Sequence, residues 1–119
     1  MMDATSTTPD QAAPLQEGPA PVGPVSVVLG ALQDPVRLEM VRRLSNAGTP
    51  MRCATLYDTI NKSTATHHFK ILREAGVTEK LLIEGHTHMR LRTAELESAL
   101  PGLIPSVVEA ANRAAPDTV

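Results

Sequence analysis

The spacing of apolar positions is most regular in residues 61–76, where it follows the period of a helix. Ala65, Phe69 and Leu72 recur at i, i+4 and i+7, which places them on one face of a helix. Asn61 is a favourable N-cap, and Gly76 is a favourable residue for a left-handed stop. The pattern therefore predicts one amphipathic helix, whose polar face carries no acidic residue in its N-terminal half.

Helical patterns also precede this segment. Residues 25–33 (VSVVLGALQ) are apolar on several sides, so a helix here must be covered by the core or by a second subunit. Asp34 and Pro35 form a typical helix start, and the helix that they begin is predicted to end near Ser45. Residues 53–60 (CATLYDTI) predict a short helix, which a tight turn separates from the central one.

After Gly76 the pattern changes to that of strands. Residues 77–92 contain two strand-like runs on either side of Glu84-Gly85-His86, a plausible turn, which predicts a β-hairpin. The side chains expected on its outer face are Lys80, Leu82, His86, His88 and Arg90. Those expected on its inner face are Leu81, Ile83, Met89 and Leu91. Residues 93–99 and the apolar segment from Leu103 onward predict two further helices.

Two helices joined by a tight turn and followed at once by a hairpin are typical of a winged helix-turn-helix. The predicted fold is mainly α with a small β-hairpin, in the order α-α-α-α-β-β-α, with the short helix at 93–99 preceding the last. A chain of 119 residues suffices for one such domain, placed at residues 25–115. Residues 1–24 hold five of the ten prolines, so they are predicted to be a disordered arm, and residues 116–119 a tail.

Three segments resemble the ArsR/SmtB family of bacterial winged-helix repressors: DPVRL at 34–38, KSTATHHFKILREAG at 62–76 and the turn at 84–85. The resemblance covers residues 26–113. It implies that residues 63–76 form the recognition helix, that the first and last helices pair across a two-fold axis, and that the protein acts by occluding promoters.

The side chains expected at DNA are polar or basic, and they lie on the central helix and the hairpin: Lys62, Ser63, Thr64, Thr66, His67, Lys70, His86 and Arg90. The side chains expected at a homodimer interface lie on the first and last helices: Val27, Val28, Leu32, Leu103, Val107, Val108 and Ala111. His68 is predicted to be a core residue bonded to backbone, with a DNA or metal role as the alternative. The outer surface is expected to carry Arg37, Arg42 and Arg43, as solvated side chains or as phosphate contacts.

The net charge of −2 is unusual for a protein that binds DNA, but the charge is unevenly distributed. Residues 26–100 carry ten Lys or Arg against eight Asp or Glu, whereas residues 1–25 carry three acids and no base. The folded part is thus mildly basic, which predicts modest nonspecific affinity for DNA and a strong dependence on salt.

Composition excludes several other classes of protein. With one Tyr, one Phe and no Trp, the chain lacks the aromatic platforms that bind single strands by stacking. The single cysteine cannot form an internal disulfide, which agrees with a reducing cytoplasm. No apolar run reaches 18 residues and the N-terminus lacks a signal-peptide pattern, so a cytoplasmic protein without a membrane partner is expected.

Metal sensing is common in the resembled family, but its two usual ligand patterns are absent. Met51-Arg52-Cys53 stands where a Cys-x-Cys pair would be needed, and residues 101–119 contain no histidine. His86 and His88 lie two apart on a predicted strand, so with a carboxylate such as Glu84 they could bind nickel or zinc. Polar surface is the alternative interpretation of this pair.

The sequence predicts a sequence-specific DNA-binding regulator, interpreted as an effector-responsive repressor that binds a palindromic operator as a dimer. One alternative is a nickel or zinc sensor that uses the hairpin histidines. Another is a winged-helix module that binds proteins and not DNA. An enzyme is not expected, because Cys53 has no evident catalytic partners and a small helical domain offers little cavity. The effector is left open between a metal, a small molecule, a redox event at Cys53 and a partner protein.

Overall fold

Five helices and a small antiparallel sheet make up the computed structural model, which describes residues 19–114. The helices are α1 (Val25–Leu32), α2 (Pro35–Ala47), α3 (Lys62–Glu74), α4 (Thr93–Ala99) and α5 (Leu103–Ala114). The strands are β1 (Met51–Arg52), β2 (Thr78–Ile83) and β3 (His86–Leu91), in the order β1-β3-β2. The predicted class, a mainly α winged helix-turn-helix with a small hairpin, is confirmed. Within residues 19–114, no helix is both long and apolar enough to cross a lipid bilayer.

One aliphatic core joins all five helices to the sheet. Its fully buried members include Val28 on α1, Met40 on α2, Leu72 on α3, Met89 on β3 and Leu96 on α4. Removing these side chains from water is the main source of stability, at roughly 1.5–3 kcal/mol for each large apolar side chain. The inner side of α3 therefore packs against this core.

The predicted start of α2 is confirmed. The Asp34 carboxylate accepts hydrogen bonds from the backbone N–H groups of Val36 and Arg37, at 2.8 and 3.1 Å. The helix continues to Ala47, beyond the predicted end at Ser45, and Gly48 at φ +69° stops it. A left-handed glycine lets the chain turn away while its N–H bonds back to the carbonyl of Leu44.

The helix predicted over residues 53–60 is wrong, because only a 3-10 turn forms, over Cys53–Thr55. Two contacts explain the difference. Arg43 donates to the carbonyl oxygen of Thr55 at 3.1 Å, which occupies an acceptor that a helix would use. The Thr55 hydroxyl donates to the carbonyl of Arg52 at 2.6 Å, and such local side-chain bonds compete with helix formation.

The sheet differs from the prediction in two ways. Met51 and Arg52 form a third strand that pairs with β3, whereas only the two strands of a hairpin were predicted. The register pairs Lys80 with Met89 and Leu81 with His88. Because directly paired residues share a face, the predicted sorting of faces is wrong. The side chains that share a face with Leu81 and Ile83 are His86, His88 and Arg90.

The hairpin β2–β3 forms the wing of the fold. Its turn contains two residues, Glu84 at φ +51° and Gly85 at φ +80°. Positive φ at both positions is the geometry that matches the twist of the flanking strands. The turn forms where it was predicted, but it is one residue shorter, because His86 already belongs to β3.

The segment before α1 lies across the C-terminal end of α3. The N–H of Gly23 donates to the carbonyl of Ala75 at 2.9 Å. The guanidinium of Arg92, 6% exposed, donates to the carbonyl oxygens of Ala20 and Gly76. Residues 19–24 are therefore packed, and the disordered arm predicted to reach residue 24 extends too far along the chain. The predictions for residues 1–18 and 116–119 concern residues outside the described range.

We predict that Gly76→Ala lowers the free energy of unfolding by about 3 kcal/mol, because this position requires both a positive φ and the absence of a Cβ. Its φ is +82°, and an added Cβ would meet the backbone of Pro21 and, at 2.5 Å, the Cα of Val22. Gly48→Ala is the matched control, since Gly48 also ends a helix at positive φ but has open space around it. The control should cost only about 1 kcal/mol in urea unfolding. Equal losses in the two variants would show that residues 21–22 do not press on Gly76.

Candidate nucleic-acid interface

The solvent face of α3 carries the six helix residues that the sequence assigns to DNA. All are exposed: Lys62, Ser63, Thr64, Thr66, His67 and Lys70. Asn61 caps the helix as predicted, because its side-chain oxygen accepts from the N–H of Thr64 at 2.8 Å. The N-terminal half of α3 therefore presents hydroxyls, amines and an imidazole to solvent, together with unpaired amides of the first turn.

The opposite face of α3 is fixed by packing. Ala65, Phe69 and Leu72 are buried as predicted, and Phe69 meets Tyr57 edge to face with ring centroids 6.1 Å apart. His68 is largely buried, with 12% of its side chain exposed, but it does not bond to backbone as predicted. Arg37 instead donates to its Nδ1 at 3.0 Å, which links α3 to the start of α2.

Arg42 and Arg43 on α2 are held in ion pairs, so their interpretation as solvated side chains is wrong, while their phosphate contacts stay a prediction. Arg42 and Arg43 both bond to Glu39, at 2.8 to 2.9 Å. Arg43 also reaches Asp58 at 2.5 Å. The bond from Arg42, followed by that from Arg43, outweighs burial and lowers the pKa of Glu39 to about 2. Of these contacts, the bonds of Arg43 to Asp58 and to the Thr55 carbonyl hold the irregular segment 53–60 against α2, while Glu39 pairs with the two arginines of its own helix.

Two residues of the wing were predicted to contact DNA, and the structure separates them. His86 is exposed, and its Nδ1 accepts from the guanidinium of Arg52 at 3.0 Å. Arg90 donates instead to Glu79 and Glu95, at 2.8 and 2.9 Å, which raises its pKa. Because two carboxylates neutralise its charge, Arg90 does not join the exposed basic surface.

The wing histidines do not form a complete metal site in the part of the chain that is described. His86 and His88 share a face, but residues 19–114 contain no group of three His, Cys, Asp or Glu side chains placed to hold an ion. The His88 Nδ1 donates to the carbonyl of His86 at 3.0 Å. A guanidinium at His86 is a further obstacle to a second cation there.

A groove of about 430 Å³ separates α3 from the wing, and we call it the helix–wing groove. Its basic side chains are Arg52, Lys62, Arg73, Lys80 and His86, and its lining contains no Asp or Glu. Its floor includes Cys53, Phe69 and Met89. Burial raises the pKa of the Cys53 thiol against the opposing charges of Lys80 and Arg73, so this thiol is not an activated one.

Sequence reasoning missed three of these cations: Arg52, Arg73 and Lys80. One signal was available for Arg73. Lys62, Thr66, Phe69 and Arg73 follow one another at intervals of four, three and four, which is one stripe along a helix. Arg52 had no such signal, because it reaches the groove only through the pairing of β1 with β3.

The predicted dimer residues fall into three groups by exposure. Val28, Leu32 and Val108 are at most 5% exposed and belong to the core of their own chain, so their assignment to an interface is wrong. Val27 is 47% exposed, and Val25 and Leu29 beside it are similarly exposed. The half-buried members of the predicted set lie on α5: Leu103, Val107 and Ala111.

Comparisons with known proteins agree with this geometry. A helix-turn-helix domain family model matches residues 32–80. An uncharacterized HTH-type transcriptional regulator, YceK of Bacillus subtilis (strain 168), is 33% identical over 82 residues, covering 67% of this chain and 82% of that protein. The fold is similar to the transcriptional repressor BigR from Xylella fastidiosa, at a TM-score of 0.58 and 23% identity over 79% of this chain and 88% of that one. It is also similar to an ArsR-like transcriptional regulator from Rhodococcus sp. RHA1. The TM-score is 0.56 and the sequence identity is 21%, over 75% of this chain and 84% of that one.

We predict that acid weakens the ion pairs that Glu39 makes with Arg42 and Arg43 on α2. Because the pKa of Glu39 is lowered from 4.5 to about 2, its contribution is fully present above pH 4.5 and is lost as the pH falls towards 2. Glu39 is 36% exposed, so screening leaves a contribution of about 1 kcal/mol. Glu39→Gln should therefore flatten the pH dependence of the unfolding free energy between pH 5 and 2. Glu84→Gln, at the exposed turn of the wing, should not, and identical profiles for the two variants would show that the Glu39 ion pairs do not stabilise the fold.

Proposed function

This chain belongs to the ArsR family of winged helix-turn-helix, DNA-binding transcriptional regulators, and from that premise we propose that it is a cytoplasmic repressor that binds a palindromic operator as a homodimer. The observation that carries the proposal is the exposed face of α3, which is free of acidic side chains from Lys62 to Arg73. Negative charge there would oppose entry into the major groove.

The DNA contacts divide by position along α3. Lys62, Ser63 and Thr64 lie in its first turn, where hydroxyls and free amides suit a phosphate of the duplex backbone. Thr66, His67 and Lys70 lie further along the exposed face, where they can reach base edges or the opposite backbone. His86 extends the surface from the wing. Arg90 is not among the proposed DNA contacts, because its ion pairs with Glu79 and Glu95 neutralise its charge.

The dimer interface is proposed on α1 and α5. Both helices pack on α2, and the apolar residues that they leave available are exposed on α1 and half-buried on α5. On α1, Val25, Val27 and Leu29 are 45–48% exposed, and three such side chains on an eight-residue helix are costly to leave in water. Pairing across a two-fold axis would cover them. It would also present two copies of α3 to half-sites about one helical turn apart.

Repression follows from occupancy of the operator. A dimer bound across a promoter excludes the polymerase from the same stretch of duplex, and release requires an effector that favours the unbound form. The wing histidines offer only two ligands among the described residues, so a metal is not the effector that we propose.

The DNA contacts can be tested by fluorescence polarisation against the chain's own upstream region. Lys70→Ala should weaken binding roughly fivefold near physiological salt and lower the slope of log K against log salt by about one, through loss of a phosphate contact. Arg113→Ala removes the same charge from α5 and should leave both quantities unchanged. If the unaltered protein shows no salt-sensitive, sequence-dependent binding, the repressor proposal fails and a protein-binding winged helix replaces it.

The dimer can be tested by sedimentation equilibrium. Val27→Glu should shift the mass towards that of a monomer, because it places a charge in the apolar surface of α1. Leu82→Glu is the matched control, since Leu82 is also an exposed apolar residue, at 75%, but lies on the wing. The control should keep the mass of the unaltered protein. A monomeric unaltered protein would contradict the interface.

A further inference from the structure

The positive charges of this chain are paired selectively. Six of the eleven Lys and Arg side chains lie within ion-pair distance of a carboxylate: Arg42, Arg43, Lys70, Arg90, Arg92 and Arg113. The other five have no carboxylate partner among residues 19–114. Arg37 is one of them, and it donates to the carbonyl oxygen of Ala31 and to His68.

The remaining four cations all line the helix–wing groove: Arg52, Lys62, Arg73 and Lys80. They come from β1, both ends of α3 and β2, so folding gathers them from distant parts of the sequence. Four like charges around one groove repel each other, and within residues 19–114 no acid in the lining offsets them. An anion in the groove would remove this repulsion.

We propose that the helix–wing groove is a binding site for phosphate groups, held mainly by Arg52, Arg73 and Lys80. Two guanidinium groups supply planar pairs of donors that match phosphate oxygens, and Lys80 adds a compact charge. His86 adds a further donor: its Nδ1 accepts from Arg52, so a neutral ring carries its proton on Nε2. None of these three cations belongs to the contacts proposed above for the operator.

The size of the groove fits such a ligand. About 430 Å³ lies within the range of small-molecule sites, and the floor of Cys53, Phe69 and Met89 gives an apolar surface below the charged rim. Inorganic phosphate alone would fill only part of this space. A compound that joins two phosphates, or a phosphate and an apolar group, would use both the rim and the floor.

Two sources can supply the phosphate. A duplex with α3 in its major groove and the wing near its minor groove must pass one strand of backbone between them, so the groove can hold DNA phosphates. This source rests on the proposed function. A soluble phosphate compound is the other source. Such a compound would compete with DNA, because Lys62 belongs both to the helix–wing groove and to the proposed DNA contacts of α3.

The test is a titration of the full chain with inorganic pyrophosphate at constant ionic strength, followed by NMR. Saturable shifts are expected at the side-chain Nε–H groups of Arg52 and Arg73 and around Gly85. Arg73→Gln and Lys80→Gln should each weaken binding about tenfold. Arg113→Gln, which removes one exposed charge elsewhere, should not. Two variants on different elements guard against misfolding of either one, and their thermal unfolding should match that of the unaltered chain.

Polarisation with operator DNA separates the two sources. If DNA is the source, both groove variants weaken DNA binding and lower its salt slope by about one, and pyrophosphate displaces the duplex. If a soluble compound is the source, the groove variants bind pyrophosphate more weakly, but their affinity for DNA equals that of Arg113→Gln. The proposal is overturned if both groove variants match Arg113→Gln in both assays. Saturable pyrophosphate binding by a chain that binds no DNA would reject the repressor function and keep the phosphate site.

Discussion

Burial of Ala65, Phe69 and Leu72 against the aliphatic core determines which side of α3 meets solvent. At roughly 1.5–3 kcal/mol for each large apolar side chain, this packing outweighs the weak preferences of the polar residues between them. Every proposed contact on α3 depends on that orientation. A rotation by one residue, about 100°, would turn Thr66 inward and expose Phe69, so the apolar stripe specifies the proposed DNA-binding surface as strictly as the polar residues do.

The ends of α3 are fixed by different means. At its start, Asn61 caps the helix, while Arg43 on α2 bonds both to Glu39 of its own helix and to Asp58 of the segment before α3. At its end, Gly76 allows the chain to turn under the backbone of Pro21 and Val22, and the buried guanidinium of Arg92 joins the two segments. A helix held at both ends can present its side chains to DNA with little loss of conformational freedom on binding.

The elements with local signals were predictable, and those set by distant contacts were not. Periodicity and capping identified α2, α3 and the wing, because each rests on residues within one or two turns of one another. The helix predicted over residues 53–60 failed because Arg43 competes for the Thr55 carbonyl from twelve residues away. The faces of the wing were assigned wrongly since alternation within each strand does not fix the register between strands. For the same reason, the solvent face of α3 could be predicted, whereas Arg52 and Lys80 in the helix–wing groove could not.

The distribution of ion pairs explains how a chain of net charge −2 can belong to a family that binds DNA. Glu39, Glu79 and Glu95 form ion pairs with arginines that hold the scaffold together, away from the groove. Their charges are largely cancelled by close partners, so at a distance of one Debye length, about 8 Å, they contribute little field. The uncompensated cations of α3 and the groove therefore dominate the potential on one side of the molecule. Local potential, and not net charge, is what an approaching phosphate encounters.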